Sequence, residues 1–471
     1  MLEDMRNMPA PDPHRQEQVI PVRPTRPGDP LDIKAGLRAA RPKAEKPMDV
    51  QAEAQPRAPV VLLGPNIPGA TEGGEPAYPH GAIGLDHFLE VSVTEVNIFP
   101  RSNPALRTRI PLGAFLGRVT LFGVQSRAVY DLVSNRWVLT VNAFDTADPL
   151  FRPYQFIAVS TTSNALSPYY IYELDLNFND GDYYGDVQLG MGHDSIIITF
   201  DAYSLAAGYK GADMFAIGKD RLYSGLGFSV PLFTGLRGPL APPIVLDLNP
   251  RIFLISAARG HGSNLSLYTL TDSSRPDLTR LTGPVAIAVQ PYTAPPPAPQ
   301  PDGSSLDTND CRFVNASTQI GDFLWQVHTI DLGGYAAPRF YQINTVTNKV
   351  VQSGYFFGTL TSYDFNASIA ANSANDIFVT WSMTDPARGT HVQVRYSGYD
   401  HNNGPAYRLG PGHAAYTSTA SKEVVDWGYY SAVTIDPRNP RRAWLVNEYV
   451  QDDRTWGTRI VGIGFARRLP D

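Results

Sequence analysis

The sequence predicts an all-β fold, a seven-bladed β-propeller over residues 59–471, entered through an extended, Pro-rich N-terminal tail over residues 1–58. Three observations carry this. Val, Ile, Thr, Tyr and Phe gather in short runs, which is strand chemistry, and the 40 Gly and 41 Pro fall between those runs as turn formers. Apolar stripes of period 3.6 and helical length are nearly absent. Seven segments share one hairpin pattern.

The tail comes first. Residues 1–58 hold no Phe, Tyr or Trp, ten basic and nine acidic residues, and many prolines, among them those at 9, 11, 13, 21, 24, 27 and 30. Such a stretch cannot bury enough apolar surface to fold alone. Its one anchor-like feature is DPLDIKAGLRAA, where Ile33 and Leu37 share a face at i, i+4. They are the residues expected to grip a partner subunit. From Pro59 the texture changes, beginning with the apolar run PVVLL.

The hairpins then follow in order. They begin at His80 (HGAIGLDHFLEVSV), Ser126 (SRAVYDLVSNRWVLTV), Gly185 (GDVQLGMGHDSIIITF) and Pro242 (PPIVLDLNPRIFLISA). The remaining three begin at Cys311 (CRFVNASTQIGDFLWQV), Phe365 (FNASIAANSANDIFVTW) and Tyr430 (YSAVTIDPRNPRRAWLVNE). Each is a short apolar strand, a turn rich in Asp, Asn, Gly or Pro, and a stronger apolar run. Their starts lie roughly 45 to 70 residues apart, the spacing of four-stranded blades with loop insertions. Further strands such as FIAVSTT and YYIYELDL supply the outer half of each unit. Two stacked β-sandwiches would also give many short strands, but not seven similar hairpins at a common spacing. Arg459–Phe465, at the end of the chain, is expected to pair with Val60–Leu63, which would close the ring and remove an exposed edge.

Composition excludes several classes. A net charge of -6 over 471 residues gives no basic face for nucleic acid. No apolar run approaches the ~18 residues of a membrane span. Cys311 is the single cysteine, so there is no internal disulfide and no cysteine-rich zinc site; it reads as a small buried hydrophobe. The nine histidines form no H-x-H or H-x-x-x-H pair. The opening MLEDMRNMPAPDPHRQ has no apolar core of a signal peptide, and no Gly-rich phosphate loop precedes a helix.

Several phrases carry a family resemblance: Ala128-Val-Tyr-Asp-Leu-Val-Ser-Asn-Arg-Trp137, Ile157-Ala-Val-Ser-Thr-Thr162, Leu306-Asp-Thr-Asn-Asp-Cys-Arg312, Asp426-Trp-Gly-Tyr-Tyr-Ser431 and Ala443-Trp-Leu-Val-Asn-Glu-Tyr449. With the repeated hairpins, over roughly residues 75–465, they resemble a group of uncharacterised bacterial β-propeller proteins, distantly sialidase-like in architecture. The resemblance implies the fold and leaves the activity open. The group's final-blade phrase Arg-Trp-Gly-Asp-Tyr-Ser is altered here around Asp426 and Tyr429, and the Asp-box of true sialidases is absent.

Two constellations could carry chemistry. Asp175, Asn177, Asn179, Asp180 and Asp182 form the densest run of oxygen ligands, of the kind that converges on Ca2+, although the Gly falls one place late for an EF-hand. The first strand of each blade is innermost, so Arg127, Asp186, Arg312, Asp364 and Asp426, at or beside hairpin openings, are expected around the channel mouth. Paired arginines there can hold an acidic ligand by bidentate hydrogen bonds, or can simply pair with the carboxylates. A glycosidase would also need an acid/base carboxylate and a nucleophile, for which Asp186 or Asp364 with Tyr429 or Tyr430 are the candidates. The expected function is therefore a non-enzymatic binding or structural subunit of an extracellular surface, filament or virion assembly, reached through the tail. A sialidase-like glycan hydrolase or a secreted lectin-like module is the alternative.

Overall fold

The computed structural model describes residues 15–18, 60–73, 76–118, 121–145, 153–176, 182–204, 207–401, 411–421, 427, 429–452 and 455–466. Within them the chain is nearly all β. Two strands from the N-terminal region, β1 (Arg15–Gln18) and β2 (Val60–Gly73), precede a series of four-stranded antiparallel meanders. The first meander is β3 (His80–Ile83), β4 (His87–Val91), β5 (Glu95–Pro100) and β6 (Thr108–Pro111). Next comes β7 (Leu121–Asp131), β8 (Arg136–Asp145), β9 (Tyr154–Ser160) and β10 (Tyr169–Asp175). A third runs β11 (Asp182–Met191), β12 (Ser195–Ser204), β13 (Gly208–Gly218) and β14 (Val230–Leu236).

In the fourth, the inner strand is split at Pro242. β15 (Leu240–Ala241) pairs with β17 (Ile252–Ala257), followed by β18 (His261–Thr271) and β19 (Arg280–Thr293). β16 (Pro243–Val245) leaves its own meander and bridges its neighbours, pairing in parallel with β11 on one side. A small ribbon, β20 (Ala298–Pro299) with β21 (Ser305–Leu306), follows. Then come β22 (Ser317–Ile320), to which β16 also pairs in parallel, β23 (Phe323–Leu332), β24 (Tyr335–Asn344) and β25 (Lys349–Tyr355). The last two sets are β26 (Tyr363–Ala371), β27 (Ile377–Asp385), β28 (Thr390–Tyr399), β29 (His413–Thr417), and β30 (Ala432–Ile435), β31 (Arg442–Val450), β32 (Thr455–Phe465).

The final set has three strands of its own, and β2 supplies the fourth. Val60 pairs with Phe465, Val61 with Gly464 and Leu62 with Ile463, and the ladder continues to Gly73 opposite Thr455. The expected closure between Val60–Leu63 and the last strand is therefore observed. Inner strands touch in a closed cycle, β3–β7–β11–β16–β22–β26–β30 and back to β3. This is propeller architecture, with the core lying between the faces of successive meanders. Trp137, Trp325, Trp381, Trp427 and Trp456 are wholly buried there.

β1 adds to the outer edge of β14, Arg15 opposite Phe233 and Gln18 opposite Val230. Ile33 and Leu37 lie outside the described residues.

Three inner strands share a device that the alternation pattern hid. β7, β11 and β26 each carry one extra residue against their partners, between Phe122 and Gln125, Gly185 and Gln188, and Phe365 and Ser368. A residue with positive φ sits in each bulge: Gly123 (60°), Asp186 (54°) and Asn366 (50°). A bulge re-aims the side chains beside it, and these three lie toward the same end of the ring.

Candidate functional site: the central channel

The inner strands run from a charged end to an apolar one. At the charged end, the bulge in β11 presents Asp186. Arg312, from the loop before β22, donates through Nη1 to Asp186 Oδ2, and through Nε and Nη2 to the two oxygens of Asp310 at 2.8 and 3.0 Å. Arg259, from the turn after β17, donates through Nη2 to Asp201 Oδ2 at 2.5 Å and to the Tyr203 hydroxyl at 2.6 Å. The cross distances are short too: Arg259 to Asp186 is 3.6 Å, and Arg312 to Asp201 is 3.7 Å. Tyr203 OH donates to Asp186 Oδ2 at 3.2 Å, and Tyr209 OH to Asp201 Oδ1 at 3.3 Å. The Arg259 guanidinium lies 4.2 Å from the Tyr209 ring centroid, and Tyr183 stacks on Tyr203.

Two arginines thus serve three carboxylates. Burial works to raise the pKa of Asp186, but Arg312 and then Arg259 outweigh it and hold the carboxyl below its ordinary value. Asp201 goes the other way. Burial, reinforced by the charge on Asp186, pushes it up to about 7 against the pull of both arginines. Of the pair, Asp201 takes a proton first.

Arg127 lies nearby. It is wholly buried, donates through Nη2 to Val314 O at 3.1 Å, and lies with its guanidinium carbon 3.3 Å from the Tyr430 ring centroid. Tyr78 packs edge-on against Tyr429 and Tyr430, and Tyr429 OH donates to Asp307 Oδ2 at 2.8 Å. Cys311, next to Arg312, is a buried free thiol that burial and Asp310 push up to about 12, which leaves it inert.

The structure therefore brings Arg127, Asp186 and Arg312 to one end of the channel. Asp364 stands apart, accepting hydrogen bonds from Trp381 Nε1 (2.8 Å), Ser362 Oγ (2.6 Å) and the Gly358 amide (2.9 Å). Asp426 lies outside the described residues, as do Asn177, Asn179, Asp180 and the Asp182 side chain, and with them the Ca2+ site that they were expected to form. Asp175 ends β10, opposite Tyr154. Among the described residues no group of three or more His, Cys, Asp or Glu is placed to hold a metal ion. No helix among them is long and apolar enough to cross a membrane.

Sequence reasoning missed Arg259, Asp201, Tyr203 and Tyr209. They sit at strand ends and carry no motif; only the fold joins them.

The other end is a funnel of about 350 Å³, walled by residues from each inner strand, among them Ile83, Val129, Met191, Ile244, Ile369 and Val433. Its floor is polar. His80 Nδ1 lies 3.1 Å from both the amide and the carbonyl of Ala128, Asn315 Nδ2 donates to Ala367 O at 3.2 Å, and the Ser368 and Ser431 hydroxyls meet at 2.8 Å. Ser317, also in the lining, keeps a buried Oγ with no hydrogen-bond partner among the described residues. At the rim, Asp131 is paired with Lys219 at 2.8 Å and accepts from Tyr223, while Arg101 holds Asp436 through two hydrogen bonds of 2.9 and 2.7 Å.

No protein-family model matches the sequence, and none of the curated proteins compared with it does. Solved structures do resemble it. The neuraminidase-like protein of subtype N10 from A/little yellow-shouldered bat/Guatemala/060/2010 is 10% identical, with a TM-score of 0.37 over 74% of this chain and 100% of that one. A protein of unknown function from Dyadobacter fermentans is 9% identical, with a TM-score of 0.37 over 86% and 99%. The sialidase of Trypanosoma rangeli is 10% identical, with a TM-score of 0.34 over 82% and 53%.

Proposed function

We propose that the chain is a seven-bladed β-propeller serving as a non-enzymatic binding or structural subunit of a larger extracellular assembly, joined through its N-terminal tail. The observation that supports this is the closed charge set at the channel end. Arg259 and Arg312 are committed to Asp186, Asp201 and Asp310, so the arginines that would grip an acidic sugar tie neighbouring meanders together instead. Glycoside hydrolysis needs an acid/base carboxyl and a nucleophile facing a bound sugar. Here the carboxyl best suited to hold a proton, Asp201, is buried behind Arg259, Tyr203 and Tyr209.

The test is native mass by light scattering, beside turnover of 4-methylumbelliferyl sialoside and galactoside. The full chain is expected to run as a multimer without turnover. A variant lacking residues 1–50 should run as one chain with a nearly unchanged melting transition, losing only the short edge strand β1. A monomeric full chain that cleaves either substrate would overturn the reading in favour of a glycan hydrolase.

A further inference from the structure

The two strands from the N-terminal region meet the ring at one face, and that face holds the funnel. Met191, at the end of β11, lines the funnel. Strand pairing carries its level outward, to Ile196 in β12 and Ile217 in β13, and so to the start of β14 at Val230. Gln18 ends β1 opposite Val230. On the other side of the cycle of inner strands, Ile435 ends β30 in the funnel lining, opposite Ala443. Val60 opens β2 at the same level, opposite Phe465, whose amide is bonded to Arg441 O. Residues 19–59, outside the described residues, therefore join two points on opposite sides of the funnel face. Their reach is ample. β1 lies four strand spacings out from β11, ~19 Å, whereas the roughly fifteen residues from Gln18 to Ile33 can span ~50 Å.

The face itself is apolar. Leu132 and Val133, in the turn after β7, are 51% and 56% exposed, and Leu246, after β16, is 38% exposed; all three line the funnel. The two carboxylates in the lining, Asp131 and Asp436, are already paired with Lys219 and Arg101, so the funnel offers apolar contact and no free charge. Its volume of about 350 Å³ falls within the range of small-ligand pockets, roughly 300–1,000 Å³. Between the two tethers, Leu31, Ile33 and Leu37 gather aliphatic side chains in a stretch that is otherwise Pro-rich and charged. Tethering at both ends makes a contact with the chain's own funnel intramolecular, at an effective concentration of millimolar order, and favours it over the same contact with a second copy.

We propose that the chain's own segment Leu31–Leu37 docks in the funnel, with Ile33 and Leu37 inserted among its aliphatic walls. This goes beyond the assembly reading: it assigns the middle of the tail to the ring that carries it, and leaves the remainder for contact with other subunits.

Cysteine pairs in the full chain test this, since Cys311 is buried and inert. Ala35→Cys is combined with Leu246→Cys at the funnel mouth, or with Val346→Cys. Val346 is 65% exposed in the turn after β24, on the same face but outside the funnel lining. Under mild oxidation at low protein concentration, the Leu246→Cys pair should close within one chain at least about tenfold faster than the Val346→Cys pair. Adding Ile33→Asp and Leu37→Asp should erase the difference, because each carboxylate would lose its hydration without gaining a partner. Near-ultraviolet circular dichroism checks that the ring is intact in every variant, the tail having no aromatic residue. Equal rates for the two pairs, no closure of either, disulfides formed only between chains, or a preference that survives the aspartates would overturn the proposal. The products are read by mass under denaturing conditions. A multimer without the preferred disulfide would refute docking and leave the assembly reading standing, and a monomer with it would do the reverse.

Discussion

Glu90 should make this protein more stable in mild acid than in mild alkali, and Glu90→Gln should remove that dependence. The carboxyl is completely buried in β4 and lies at the seam where the ring closes. It accepts from the Ala70 amide of β2 at 3.0 Å, from Asn97 Nδ2 of β5 at 3.0 Å, and from the Thr458 hydroxyl of β32. Burial pushes its pKa from 4.5 to about 7, assisted by the charge of Glu95 and opposed by the hydrogen bonds from Thr458, Asn97 and Ala70. Below about pH 4.5 the group is neutral both folded and unfolded. Between 4.5 and 7 the unfolded chain loses the proton while the folded one keeps it, so stability falls as pH rises, and it levels off above 7. That gap corresponds to ~3 kcal/mol. Glutamine reproduces the protonated form: its carbonyl can accept from Ala70 and Asn97, and its amide can donate to Thr458 with the hydroxyl reversed. Equilibrium urea unfolding at pH 5 and 8.5 reads the difference between the two proteins, which cancels the contributions of other groups such as Glu72 and Asp201. The variant should be close to wild type at pH 5 and more stable at pH 8.5 by up to ~3 kcal/mol. A variant destabilised equally at both values would refute the assignment of a buried, reluctantly charged carboxylate.

Two further substitutions test the ties between meanders. Arg312→Ala leaves Asp186 and Asp310 without their main partner and should cost roughly 3–5 kcal/mol, read by urea unfolding, with Asp186→Asn added to it recovering part of the loss; wild-type stability in the single variant would show that the charge set contributes nothing. Gly69→Ala places a methyl group against Thr458 Oγ1 and both Glu90 carboxylate oxygens, and should lower stability by roughly 1–3 kcal/mol or more; an unchanged melting temperature would mean that the seam is looser than described.

The hairpins were readable because each inner pair alternates or runs apolar on either side of a turn with Asp, Asn, Gly or Pro, and six of the seven named segments are inner hairpins of the structure; in the one from Pro242, β16 pairs with its neighbours and β17 pairs with β15 instead. The closing pair, Val60–Leu63 with Arg459–Phe465, was legible as two unpartnered apolar runs at opposite ends of the chain. The split inner strand at Pro242 was not, because a three-residue parallel bridge has no period to detect. The charged end was half legible. Arg127, Asp186 and Arg312 sit at hairpin openings, a position that repeats along the sequence. Their partners sit in the later half of β12 (Asp201) and in the turn after β17 (Arg259), where polar residues are ordinary. Asp364 shows the limit of reasoning by position: it occupies a similar place in β26, yet it serves Trp381 within its own meander.

The ring is locked by its earliest long strand pairing with its last, β2 with β32, and this sets an order on synthesis. Some 395 residues separate Val60 from Thr455, so a ribosome working at ~5–20 residues per second needs roughly 20 to 80 s to deliver the partner. During that interval β2 has no mate in its own chain. Its Leu62 and Leu63, still partly exposed after closure, stand open to a neighbouring nascent chain. A prematurely terminated product is then not a smaller ring but an open arc with a sticky edge, and on a crowded polysome its nearest complement is the completed last strand of another copy. Crossed closure between two chains is thus the misassembly expected of this pairing, favoured by high expression and by any delay in translating the final hundred residues.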